Sequence, residues 1–147
     1  MNTLLLKGTT YVDLGCWKDN SSQPSMTSLD ADIVAKYNYT GAFFGENERK
    51  NNPIRSINEC FSLARDKKYT FFALQNGYQC FASRKSTTLN VPNSYKKYSR
   101  SSACDNDKMT GGPLANQVYE IIEPDTGINS FAQFRYKVSY LMMITYF

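Results

Sequence analysis

The residues with chemical reach in this sequence are few: four cysteines, thirteen carboxylates and no histidine. Without histidine the chain can hold neither a Ser-His-Asp triad nor a Cys-His pair, and no histidine-ligated zinc or iron site. Carboxylate chemistry is what remains. The acids lie scattered from Asp13 to Asp125, and no spacing singles out the facing pair that glycoside hydrolysis uses. The expectation is a protein that is not an enzyme, uses no cofactor and holds no metal.

The cysteines say more, once the elements that carry them are read. Ser56-Ile57-Asn58-Glu59 matches a capping box, in which Ser and Glu each satisfy a free backbone N–H of the first turn. Ile57, Cys60, Phe61 and Ala64 then recur at helical spacing, which predicts a helix over 57–67 with Cys60 on its buried face. Residues 69–75 read as an apolar strand and Asn76-Gly77 as a type I′ turn, with Tyr78 to Ala82 returning as the partner strand. A helix packed on that hairpin brings Cys60 within bonding reach of Cys80. Closing a loop of about 20 residues contributes roughly 3 kcal/mol in the chain-entropy model.

Four cysteines allow three pairings. The favoured one is Cys60–Cys80 with Cys16–Cys104, which places the protein in an oxidising compartment, extracellular or at a cell surface. Four free buried thiols in a reducing compartment are the alternative. A zinc site of all four is disfavoured, because no two cysteines show the close spacing such sites use. Asn20-Ser21-Ser22 and Asn38-Tyr39-Thr40 are N-glycosylation sequons, so Asn20 and Asn38 are candidate glycan carriers.

Bulk properties narrow the partners. A net charge of +4 with basic pairs only as short as Lys67-Lys68 and Lys96-Lys97 gives no nucleic-acid footprint. No apolar run approaches the ~20 residues of a membrane span. Leu4-Leu5-Leu6 is too short for a signal-peptide core, so a secreted form would be mature, excised or incomplete. Residues 18–56 read as a long, loop-rich connection, with Ile33, Val34, Tyr37, Phe43 and Phe44 as anchors onto the core.

From Gln133 the chain alternates, with Phe134, Tyr136, Val138, Tyr140, Met142, Ile144 and Tyr146 on one side. That is a long strand signal after the turn-rich break at 123–127. Such a strand needs a partner. It can pair with residues 3–12, begin a further domain, or add to a neighbouring subunit and build a homo-oligomer through residues 131–147.

Taken in order, Gly15-Cys16-Trp17-Lys18-Asp19, Glu59-Cys60, Tyr69 to Cys80 with its Phe72-Ala73-Leu74-Gln75-Asn76-Gly77 core, Cys104, and Gly111-Gly112-Pro113-Leu114-Ala115-Asn116-Gln117-Val118-Tyr119 resemble the WSC-type domain in a reduced-cysteine form. The likeness covers about residues 11–122. It departs from the fuller pattern at Ala64, where a further cysteine stands, at Tyr78 in place of glycine, and at Leu114 in place of tryptophan. The resemblance implies an extracellular α+β module that binds carbohydrate and serves adhesion to a cell wall or surface.

The reading is therefore an α+β fold: a small disulfide-linked domain with one main helix packed on an antiparallel sheet, over 1–123, plus a C-terminal β arm over 124–147. Sugar sites pair aromatic faces with planar polar groups. The aromatic candidates are Trp17, Tyr78, Tyr95 and Tyr98, with Tyr95 and Tyr98 expected to be exposed beside lysines. The polar candidates are Asp19, Gln75, Asn76, Asp107 and Asn116. Glycans of a wall, surface polysaccharide or glycoprotein are the expected partners. The rival reading is a structural subunit of an extracellular fibre or virion surface assembly, polymerising through the C-terminal strand.

Overall fold

A computed structural model describes residues 10–37 and 45–124. The compact unit within them is Tyr11–Ile121. Residues 1–9, 38–44 and 125–147 lie outside the description, and with them Asn38, Phe43, Phe44 and the alternating strand from Gln133.

The centre is the hairpin that the sequence marks. Phe71–Gln75 (β3) and Gln79–Ser83 (β4) pair antiparallel, with Leu74 opposite Cys80. Asn76 and Gly77 both sit at positive φ, 51° and 86°, as a type I′ turn demands. Ala115–Ile122 (β5) pairs antiparallel with the other edge of β3, setting Val118 opposite Ala73. Thr10–Lys18 (β1) lies beyond β5, and the short Thr27–Ser28 (β2) closes the far edge against β4.

Successive residues on a strand face opposite ways, so the sheet has two apolar faces to cover. On one, Phe72, Leu74, Cys80, Ala82, Tyr119 and Ile121 meet helices. On the other, Phe71, Ala73, Phe81 and Val118 meet Met26, Tyr95, Leu14 and Trp17, which come from loops and the β1 strand. The first face is roofed by Asp30–Tyr37 (α1), Glu46–Asn51 (α2) and Pro53–Asp66 (α3). Phe72 stacks on Tyr119 with ring centres 4.9 Å apart, and Tyr11 and Phe61 close over it.

Two expectations change here. The stretch 18–56 is not loop throughout: it holds β2, α1 and α2, so two shorter helices accompany the main one among the described residues. Short amphipathic segments carry too few turns to show a period. The main helix also starts earlier than 57. Pro53 begins it at the first helical position, where a missing N–H costs nothing. Ser56 is thus inside the helix and donates its hydroxyl to the Arg49 carbonyl at 2.7 Å, while Glu59 pairs with Arg55 at 2.7 Å. Neither makes the capping box that their spacing suggests.

Both disulfides form as the sequence favours. Cys60–Cys80 joins α3 to β4 at the heart of the helical face, with both cysteines fully buried. Cys16–Cys104 ties β1 to the loop before β5. Among the described residues no cysteine is free, no helix is long and apolar enough to cross a membrane, and no cluster of three or more acidic or cysteine side chains suits a metal ion.

Candidate functional site

At the tip of the hairpin the backbone itself builds a recess. The Asn76 N–H donates to the Gly112 carbonyl and the Gly77 N–H to the Thr110 carbonyl, both at 3.0 Å. The 103–113 loop is thereby stitched to the turn. Within that loop, Asp105 Oδ1 accepts from the N–H groups of Asp107 and Lys108 at 2.9 and 3.1 Å, and its own N–H donates to Gly111. Gly111 has φ +77°, and an added Cβ there would run into the carbonyls of Leu74 and Ala115. Only glycine lets the loop lie this close to the strand.

The result is a groove of about 350 Å³ between turn and loop. Asn76, exposed, lies on one side, Lys108 and Asp105 on the other, and Lys50 reaches in from α2. Thr110 lines it too, 1% exposed, and its hydroxyl has no hydrogen-bond partner among the described residues. A buried polar group left unpaired costs about 1–3 kcal/mol, and Arg49 Nε, Glu59 Oε2 and Ser83 Oγ share that state among the described residues. Tyr78 follows the turn, its ring flanked by the Arg49 guanidinium at 5.2 Å and the Lys50 ammonium at 5.1 Å. Burial and then the Glu46 carboxylate push the Tyr78 hydroxyl above its ordinary range, so it stays a neutral donor.

Arg49 holds this side of the site in place. It is 4% exposed, and its Nη2 donates to the Tyr78 carbonyl at 2.8 Å and reaches Asp30 Oδ1 at 3.5 Å. Asp30 in turn accepts the Cys80 N–H at 2.8 Å. Burial raises the Asp30 carboxyl above its usual value in spite of these partners.

The chain matches no protein-family model, and no curated protein matches it in sequence.

The other candidates fall into two groups elsewhere. Asp19, Gln75 and Asn116 are brought together, but they serve one another. Gln75 Nε2 donates to Asp19 Oδ2 at 2.8 Å and to Asn116 Oδ1 at 3.0 Å, and Asn116 Nδ2 donates to Asp19 Oδ2 at 3.1 Å. Asp19 Oδ1 takes the N–H groups of Asn20 and Ser25. Asn116 is fully buried, so its amide is spent on fixing the 19–25 loop to the sheet and reaches no ligand.

Trp17 and Tyr95 form the third group, and Tyr98 stands apart from them. Tyr95 is 5% exposed, wedged between Phe71 and Trp17 with ring centres 5.0 and 5.2 Å away. The lysine beside it in sequence gave a false sign of exposure: Ser94–Lys96 is a turn of 3-10 helix that points Tyr95 inward. Trp17 is half-buried and donates its indole N–H to the Leu14 carbonyl. Tyr98 donates its hydroxyl to the Gln23 carbonyl at 2.8 Å. Asp107 is exposed on the 103–113 loop near the groove but does not line it. Asn20 is exposed in an Asx turn, accepting from the Ser22 and Gln23 N–H groups.

Sequence reading missed Lys50, Lys108 and Thr110. Lys50 reaches the groove only through the packing of α2, and Thr110 is marked out by an unpaired hydroxyl, which no spacing encodes. A larger depression of about 880 Å³ runs along α2 and α3, past Pro53, Ile54 and Phe61. Tyr37, which also lines it, is the last described residue before 38–44.

Proposed function

We propose that this chain is a non-catalytic carbohydrate-binding and adhesion module of WSC type, working outside the cell or on its surface. The observation that carries the reading is the groove at the hairpin tip, lined by Asn76, Lys50, Lys108 and Thr110 and held by a loop stitched to the turn. Sugar hydroxyls need such fixed planar and hydroxylic partners. Two disulfides are compatible with an oxidising compartment, and the ordered motifs from Gly15 to Tyr119 support the family likeness. Non-catalytic fits a groove with one lining carboxylate, Asp105, whose Oδ1 is committed to its own loop. Asn20 and Asn38 carry N-glycans in this reading.

The test is a glycan array followed by titration of the best ligand. Asn76→Gly keeps the positive-φ turn and deletes the amide, so binding should weaken with the fold intact. Thr110→Val removes the unpaired hydroxyl, so stability should hold or rise while affinity drops about fivefold. A chain that binds no glycan, or binds equally well with both changes, sinks the reading. Large assemblies of the intact chain that vanish on removing residues 124–147 would favour a structural subunit instead.

A further inference from the structure

Six ion pairs join described residues, and every cation in them belongs to the helical layer: Lys36, Arg49, Lys50, Arg55, Arg65 and Lys67. The loop-covered face is different. Lys96, Lys97 and Arg100 lie within five residues of one another, all exposed, and none reaches a carboxylate among the described residues. Glu120 is close enough to act on Tyr95, yet it forms no ion pair with any of the three.

Each of these cations sits on an aromatic ring. The Arg100 guanidinium lies 4.5 Å from the centre of Trp17, the Lys97 ammonium 5.5 Å from Tyr98 and the Lys96 ammonium 5.7 Å from Tyr95. The segment is pinned along β1: the Lys18 N–H donates to Ser99, the Ser101 N–H to Cys16, and Trp17 and Arg100 form a β-bridge. Gly15 completes the seat. It has φ +90°, and a Cβ there would collide with the Arg100 guanidinium.

The rings that looked like bare sugar platforms are thus capped by positive charge. Stacking orders the cations in advance, so less side-chain freedom is lost when they take a partner. Three like charges held together without a counter-charge repel one another, and a row of anions relieves that repulsion. Arginine adds a planar fork that fits a sulfate or carboxylate.

We propose that the Lys96–Lys97–Arg100 strip is a second binding surface, for an acidic polysaccharide bearing sulfate or carboxylate groups. The proposal rests on the glycan-binding reading for the class of polymer and adds to it the charge that polymer carries.

Dextran sulfate, neutral dextran and a single-stranded oligonucleotide are the probes, each titrated into the full chain at several salt concentrations. The chain should bind dextran sulfate and not dextran, with affinity falling steeply as salt rises. The triple variant Lys96→Gln, Lys97→Gln, Arg100→Gln should lose at least about tenfold in affinity and flatten the salt slope by roughly two to three. Lys36→Gln, Arg65→Gln, Lys67→Gln removes the same charge from the helical layer and should change affinity by less than about twofold. Equal losses in the two variants would reduce the effect to net charge and overturn the proposal. So would a wild type that ignores dextran sulfate, or one that binds the oligonucleotide as tightly. Asn76→Gly should leave dextran sulfate binding unchanged. A chain that binds dextran sulfate through the strip, yet no array glycan through the groove, overturns the groove and leaves the strip standing.

Discussion

The two faces of the sheet are covered in opposite ways. The helical face is closed by large apolar side chains, a fully buried disulfide and a rim of paired charges. The loop face is closed by a few rings and a polar cluster built on Asp19, Gln75 and Asn116, and its cations are left without acids. One layer holds the ion pairs seen among the described residues, although Arg49 Nε and Glu59 Oε2 within it have no hydrogen-bond partner there. The other carries the strip at 96–100, whose cations form no ion pair among the described residues.

Breaking each face at its strongest point sharpens the contrast. In the chain-entropy model Cys16–Cys104, spanning 88 residues, is worth about 4.5 kcal/mol, and Cys60–Cys80, spanning 20, about 3 kcal/mol. Urea unfolding of the two double Cys→Ala variants should rank them in that order. A reversed order would mean that packing around the buried Cys60–Cys80 pair outweighs chain closure. Phe72→Ala, at a fully buried site among three other rings, should cost about 4 kcal/mol by the same assay. Asn116→Ala, which removes one hydrogen-bond partner each from Gln75 and Asp19 on the loop face, should cost about 2–3 kcal/mol. Near-equal values would show the polar cluster to be as structural as the apolar one.

The acid side is subtler. Burial raises the folded-state pKa of Asp30, so the native protein holds that proton more tightly than the unfolded chain. Its contribution to stability therefore falls as pH rises from the ordinary aspartate value of 3.8 through the raised one, then levels off. Unfolding midpoints of wild type minus Asp30→Asn should decline across that window. A flat difference would remove the linkage. Smallest is the exposed Lys36–Asp66 pair, where hydrogen bonding lowers the Asp66 carboxyl and Asp66→Asn should cost under about 0.5 kcal/mol.

What the sequence disclosed follows the range of the forces involved. The hairpin was legible because Asn76-Gly77 is a local backbone signal, and α3 because Ile57, Cys60 and Ala64 repeat over several turns. Their packing then implied Cys60–Cys80. α1 and α2 stayed hidden because eight and six residues carry little periodicity, and α2 is polar at every position, its one buried residue being Arg49. Of the candidate contacts, Asn76 was legible as a turn residue that also faces solvent. Asn116 and Tyr95 were misleading, because burial depends on which loop folds over which strand. Thr110 was invisible, since a missing partner is a property of the assembled fold.

The Cys16–Cys104 bond has one further consequence. Between β4 and the 3-10 turn the chain passes through an exposed loop in which Leu89 and Val91 are 88% and 53% accessible, an easy target for a protease. A cut there would separate β5 from the hairpin it pairs with, yet the two pieces would stay tethered through cysteines on either side of the break. The nicked molecule would run as one species on a gel without reductant and as two with it. The domain can be damaged in its backbone while remaining a single particle.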